Sequence, residues 1–281
     1  MKKKKAKIPP FILILMILLM IIVVVSMFSH SIFQVDMSVI SLRDRMIKPS
    51  ILGYDTDHLL GTDYMGRDVG IRILYATKTS LTIAFLGLIG SIILGTSLGI
   101  IGGLCGGRID DFIVFLINVR ISIPAIVIGI VAATIFGTGT SLLIFLIAII
   151  YWTNFARIVR AEVMHIKNEN YIECSKSIGS SSIRIIFEHV LVNIASPLIV
   201  TASMNISNII LFESSLSFLG LGVVPPQTSL GLMVSTGRDQ MIGNTWLAIF
   251  PIIMIVFIVM AISLIGDWLR DKLDPKLRNR N

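Results

Sequence analysis

A chain of 281 residues that is 54% hydrophobic and 15% charged, with a mean hydropathy of +0.88, is too apolar for a soluble domain and has the composition of a protein with several membrane spans. Its formal net charge of +7 would suit nucleic acid, but the basic residues stand beside apolar runs, which is the pattern of membrane orientation signals. The cysteines Cys105 and Cys174 lie in separate segments, both expected on the cytoplasmic side. The histidines are scattered, so neither a disulfide framework nor metal-ligand spacing is visible, and no Gly-x4-Gly-Lys-Ser/Thr phosphate loop occurs.

Met1–Lys7 carries five lysines, and Ile8–Phe28 follows as 21 almost purely apolar residues, enough to span roughly 30 Å of hydrocarbon. A signal peptide begins the same way, but this run is too long and no small-x-small cleavage site follows. It reads as a retained first span with its N-terminus in the cytoplasm. Residues 29–78 form a mixed polar segment in which six basic residues (Arg43, Arg45, Lys48, Arg67, Arg72, Lys78) balance six acidic ones (Asp36, Asp44, Asp55, Asp57, Asp63, Asp68), which suits an external loop. Within its stretch His58–Asp68, Gly61 and Gly66 permit tight turns. Asp63, Arg67 and Asp68 are placed to form an ion-paired knot at the membrane edge, a plug closing the loop onto the spans; substrate contact is the other reading.

Thr79–Gly103 is the expected second span. Its Gly95, Gly99 and Gly103 recur at four-residue spacing, which puts small residues on one face where another helix can approach closely. After a turn at Cys105–Asp111, Phe112–Phe136 is the third span, with Pro124 expected to kink it. Arg120 is the oddity here. It lies about 13 Å along the helix from Asp111, where an arginine costs roughly 2.5–3.5 kcal/mol on insertion scales. Either it lines a pathway and attracts an anionic group of a substrate, or it snorkels to the cytoplasmic side or pairs with a buried acid. Gly137–Gly139 is a short external turn, and Thr140–Ala156 is the fourth span, with Tyr151 and Trp152 near its end as interface anchors.

Arg157 and Arg160 lead into Tyr171–Asn193, a long polar segment between two apolar spans. Ile172, Ile178, Ile183, Ile185, Ile186, Phe187, Val190 and Leu191 fit two short amphipathic helices better than a strand. Gly179 falls between them, where a helix can end in a left-handed residue, and Ser180, Ser181 or Ser182 can cap the second helix. The segment reads as a helix-turn-helix outside the bilayer that needs a protein surface to dock on. Ile194–Phe218 is the fifth span, containing Pro197 and Glu213; Glu213 reads either as lining the external mouth of a pathway or as an ion-paired structural acid. Trp246–Ile265 is the sixth span, and the tail beyond it is basic. Six spans with a cytoplasmic N-terminus place 16 of the 24 basic residues inside and 7 outside, with Arg120 the remaining one, which supports that orientation. The organisation is a basic start with the first span (1–28), an external loop (29–78), a five-helix core (79–268) holding the cytoplasmic loop 157–193, and a cytoplasmic tail (269–281).

Four stretches resemble one family. Glu173-Cys174-Ser175, three residues and then Gly179 resemble the EAA…G coupling loop of ABC-importer permeases. Cys174 and Ser175 replace two alanines, and Val192 stands where that family's proline is expected. The Leu60–Asp68 stretch resembles the LGTD…GRD signature of the dipeptide, oligopeptide and nickel branch, in which Gly61, Asp63, Gly66, Arg67 and Asp68 are the signature positions. Phe212–Gly222 resembles EASLSFLGLG, followed by Pro225 and Pro226, then Leu230-Gly231 in place of a tryptophan-glycine, then Gly237-Arg238-Asp239. Asp267–Pro275 resembles GD.LRD.LDP.

The resemblance implies an all-α integral membrane protein of the type I ABC importer permease fold, with six transmembrane helices and both termini cytoplasmic, in a bacterial cell membrane. It implies a transport subunit rather than an enzyme, without catalytic residues, metal ligands or cofactor, importing dipeptides or oligopeptides; nickel or metal-chelate import is the alternative. Implied partners are a second homologous permease, two cytoplasmic ATPases that bind the ATP, an external substrate-binding lipoprotein and the lipid bilayer, with no nucleic acid. Coupling to the ATPases would be carried by Tyr171, Glu173, Gly179, Arg184 and His189, with Glu173 as a docking or capping contact and Gly179 as the turn. Arg120 and Glu213 are the pathway candidates. An ATP-independent secondary transporter fits less well, because no inverted repeat is visible and few titratable residues lie within spans.

Overall fold

The computed structural model describes residues 8–33, 40–54 and 56–273. The lysines of Met1–Lys7, Asp36, Asp55 and the tail residues Lys276, Arg278 and Arg280 lie outside the described residues. Backbone polar groups in hydrocarbon must be satisfied within their own segment, and the regular elements among the described residues are helical: α1 (Pro10–Met27), α2 (Ser29–Phe33), α3 (Val69–Cys105), α4 (Gly107–Ser122), α5 (Ala125–Phe136), α6 (Thr140–Ile166), α7 (Asn170–Ser177), α8 (Ser182–Ile185), α9 (Leu191–Phe218), α10 (Leu230–Arg238) and α11 (Trp246–Leu273). Five helices are long and apolar enough to cross a membrane: α1, α3, α6, the continuous helix Ile183–Phe218, and α11. The pair α4 and α5, bent by 87°, makes a sixth crossing when taken as one span.

The third span is broken rather than kinked. Pro124 offers no N–H and disfavours helical backbone at the residue before it. Ile123 is accordingly extended (φ −102°, ψ 123°), and α5 restarts at Ala125. Two other spans run further than their apolar cores suggested. The second begins at Val69, ten residues before Thr79, because Asp68 caps it by accepting from the Ile71 N–H at 3.0 Å. The fourth continues to Ile166. Tyr151 and Trp152, expected near its end, therefore sit near the middle of α6.

The centre of the bundle is the pairing of α3 with α6. Along α3 the small residues Gly87, Ser91, Gly95, Gly99 and Gly103 recur every four residues against α6. A Cβ on Gly99 would stand 2.8 Å from the Ala156 carbonyl oxygen, and one on Gly103 would stand 2.7 Å from Val163 Cβ. Ser91 fills its place in the stripe by donating its hydroxyl to the Ile147 carbonyl at 3.0 Å. Without a hydrophobic driving force between helices in lipid, this close packing is what holds the pair. α9 and α11 complete the core, while α1 lies outside it with almost its whole surface exposed.

Replacing Gly99 with leucine should therefore lower the thermal stability of the detergent-purified protein by an amount in the overpacking range of roughly 1–3 kcal/mol. Ile93→Ala, at a position 60% exposed, should shift it little. Equal unfolding temperatures for Gly99→Leu and the unmodified chain would show that the α3–α6 approach does not limit stability.

Candidate functional site

At one end of the bundle, α7 ends in a left-handed turn at Gly179 (φ 88°), and the Ser180 N–H reaches back to the Ser175 carbonyl at 3.1 Å. Added Cβ atoms at Gly179 would meet nothing within 4 Å, so only the backbone conformation demands glycine there. Ser181 caps the next helix by accepting from the Arg184 N–H at 3.3 Å. That second helix is not a separate short one: it passes through a π-helical stretch at Ile186–Val190 and runs on into α9, the fifth span. The loop is thus rigidly continuous with a membrane helix.

Its two faces differ. Ile172, 1% exposed, is buried among Ile100 of α3, Val159, Val163 and Ile166 of α6, and Ile185, Val190 and Ile194. On the other side Ile178, Ile183 and Phe187 are 85%, 69% and 65% exposed, an apolar set at the tip of a loop outside the bilayer. Around it stand the five residues expected for coupling. Glu173 is exposed. The Tyr171 ring lies 5.7 Å from that of His189, and Arg184 Nε pairs with Glu188 Oε1 at 2.9 Å on the open surface.

The pathway candidates lie apart from that loop and from each other. Glu213 is placed in the packed interior rather than on a face open to the outside, with 0% exposure. Its Oε1 accepts from the Ser217 hydroxyl at 2.8 Å and its Oε2 from Ser214 at 3.4 Å, and the Ser80 and Ser229 hydroxyls also reach it. It joins α9 to α3 and to the cap of α10, and its partners are hydroxyls, not cations. Arg120, in the last turn of α4, is half-buried; its Nε is shielded from solvent and makes no hydrogen bond among the described residues, and its near neighbour is Tyr151 of α6. Tyr151 donates to the Asn208 carbonyl of α9 at 3.1 Å. One turn along, Asn154 Nδ2 donates to Asn205 Oδ1 at 2.6 Å.

At the opposite end of the bundle, the signature residues form a knot. Asp63, 1% exposed, accepts from the Met65 and Arg67 N–H groups at 2.7 and 2.9 Å, from Arg67 Nε at 2.8 Å, and from Arg72 of α3. Asp68 caps α3 and receives His58 Nδ1 at 2.9 Å, so it pairs with a histidine and not with Arg67. Gly61 and Gly66 adopt φ of 75° and 79° where side chains would strike the Ile47 and Ser41 carbonyls.

These features belong to one known architecture. Residues 91–279 match the pattern that defines the binding-protein-dependent transport system inner membrane component. The chain belongs to that family. The dipeptide transport system permease protein DppC of Haemophilus influenzae is 40% identical to it over 226 residues, covering 80% of this chain and 77% of that one. The glutathione transport system permease protein GsiD of Pectobacterium atrosepticum is 37% identical, with 81% and 75% covered. A chain of the MetNI methionine ABC transporter in an inward facing conformation matches with a TM-score of 0.59 at 17% identity, covering 72% of this chain and 96% of its own. The permease thus has the type I ABC importer permease fold and is a multi-pass protein of the bacterial cytoplasmic membrane.

The sequence pattern does not single out the ion pair of Asp110 with Arg160, which ties α4 to α6 at the cytoplasmic edge of the permease, because its members are fifty residues apart. Nor does it single out Asn154, Asn205 and Asn208, although amides inside apolar runs were there to be noticed. Asp63→Asn should remove the charge paired with Arg72, itself 6% exposed, and cost roughly 3–5 kcal/mol as a broken buried ion pair. The expected readout is a markedly lower unfolding temperature and less permease in the membrane. Asp68→Asn, which keeps a capping side chain, should lose far less, and equal losses would show that the carboxylate of Asp63 holds no special place.

Proposed function

We propose that the permease is a membrane-spanning subunit of an ATP-driven importer of dipeptides or oligopeptides, and that Tyr171–Asn193 transmits the ATPase cycle to the spans. The observation that carries the coupling role is the apolar set Ile178, Ile183 and Phe187, exposed beside Glu173 on a loop whose opposite face is locked by Ile172 onto the ends of three spans. An exposed cluster of this kind marks a protein contact, and its continuity with α9 gives movement of the loop a direct route to a membrane helix. In this reading Gly179 supplies the turn that presents the set, while Glu173, Tyr171, Arg184 and His189 form its polar rim. The peptide assignment is supported by relatives named for dipeptide, oligopeptide and glutathione transport.

The assembly would hold a second permease, two cytoplasmic ATPases that bind the ATP, and an external substrate-binding protein; this chain needs no cofactor of its own. Alternating access follows from that division of labour: closure of the ATPases moves the docked loops, and the loops move the spans.

Uptake of labelled dipeptide, oligopeptide and nickel by cells with and without the permease tests the substrate. Loss of peptide uptake is expected, and loss of nickel uptake alone would overturn it. For coupling, Phe187→Glu should leave the permease in the membrane but reduce ATPase co-purification and uptake by about tenfold or more, the scale of a lost interface anchor. Gly179→Trp should have the same sense, and normal uptake by both variants would remove the loop from the coupling role.

A further inference from the structure

We infer that Arg120 is an anion-recognising residue inside the translocation path, holding a carboxylate of the substrate part-way across the membrane. This deepens the peptide-importer reading and rests on it. The depth comes from three helices independently. Arg120 lies about 20 Å from the start of α4, Tyr151 about 17 Å from the outer start of α6, and Asn208 about 15 Å from the outer end of α9 at 1.5 Å per residue. All three values fall near the middle of a hydrocarbon layer about 30 Å thick.

At that depth a charge needs a counter-charge or water, and among the described residues no carboxylate pairs with Arg120. Asp110 is committed to Arg160, Asp63 to Arg67 and Arg72, and Glu213 is enclosed by serines. Its surroundings are polar in an organised way. Tyr151 donates to the Asn208 backbone carbonyl and Asn154 to the Asn205 side chain, linking α6 to α9, while the exposed Asn208 amide donates to the Met204 carbonyl one turn back at 3.5 Å. That single long bond leaves the Asn208 side-chain carbonyl oxygen and its second N–H unmet among the described residues, which favours a face that meets water or another polar surface over one that meets lipid.

The break in the third span adds to the case. Five residues after Arg120, α5 restarts at Ala125 without a side-chain cap; the Val127 N–H bonds the Pro124 carbonyl, and those of Ala125 and Ile126, which have no acceptor among the described residues, favour an anion. A guanidinium with unmet donors, beside a broken helix and a polar wall, suits the planar oxygens of a carboxylate. Peptides carry such a group at their C-terminus.

The test uses the complete transporter, with its partner subunits and binding protein, and compares uptake of labelled Ala-Ala with that of its C-terminal amide. The binding protein's own preference is the same for every permease variant, so it cancels in the change of the acid-to-amide ratio. Arg120→Leu should lower that ratio by about tenfold or more, the scale of one charge-assisted hydrogen bond, and Arg120→Lys should retain more of it. A parallel fall for both substrates would overturn the inference by making Arg120 a structural residue or the ion-pair partner of a neighbouring subunit; an unchanged ratio would overturn it equally. If Arg120→Leu fails to reach the membrane, Arg120→Cys in a Cys105→Ala, Cys174→Ala background takes its place. Its thiol should react with a charged methanethiosulfonate, and the ammonium-bearing reagent should restore free-acid uptake; an unreactive thiol overturns the inference. A wild-type complex that moves neither dipeptide form would overturn the peptide reading together with this one. One that moves both forms equally well would overturn the role of Arg120 alone.

Discussion

The structure depends on how closely α3 can approach α6. Gly87, Ser91, Gly95, Gly99 and Gly103 bring the α3 backbone close against the α6 carbonyls of Ile147, Trp152 and Ala156 and the side chains of Ile147, Val159 and Val163, and dispersion at that distance takes the place of the hydrophobic effect, which lipid abolishes. Other spans are laid against this pair. The cytoplasmic ends of the same two helices, at Ile100, Val159 and Val163, form the surface on which the loop buries Ile172. The contact that holds the bundle together is therefore also the base on which the proposed coupling loop stands.

Ion pairs tie segments together at the two ends of that bundle. On the outside Asp63 gathers Arg67 and Arg72 with two backbone N–H groups, and on the inside Asp110 holds Arg160. The first arrangement is almost fully buried and is satisfied by the additional hydrogen bonds to Asp63, while the second is partly exposed, where ion pairing carries less desolvation cost. Glu213 lies deeper and is satisfied by hydroxyls alone, which lets one carboxylate fasten α9, α3 and the cap of α10. Against this background Arg120 stands out as a cation within a span without an acid beside it.

The cytoplasmic loop uses one short amphipathic stretch for two purposes. A buried isoleucine fixes it to the membrane domain, and an exposed apolar tip is left for another protein. The second helix of the loop continues into the fifth span through a π-helical stretch, so the two are joined by unbroken helix. A force applied at Phe187 reaches the interior of the bundle without passing through a flexible linker.

Much of this was legible in the sequence. The apolar runs marked the crossing helices, with the bent pair α4 and α5 as the sixth, and Gly95, Gly99 and Gly103 marked the tight helix face, because each of these signals is local and periodic. Four motifs pointed to the permease family. The break at Pro124 was partly legible, since a proline announces a disturbance but not its angle. Tertiary structure decided the rest. It extended the second and fourth spans past their apolar cores, gave Asp63 to Arg72 and Asp68 to His58, enclosed Glu213, and separated the buried Ile172 from the exposed Phe187. These outcomes depend on which distant segments come to lie side by side, and the pairing of groups many residues apart leaves no periodic trace along the chain.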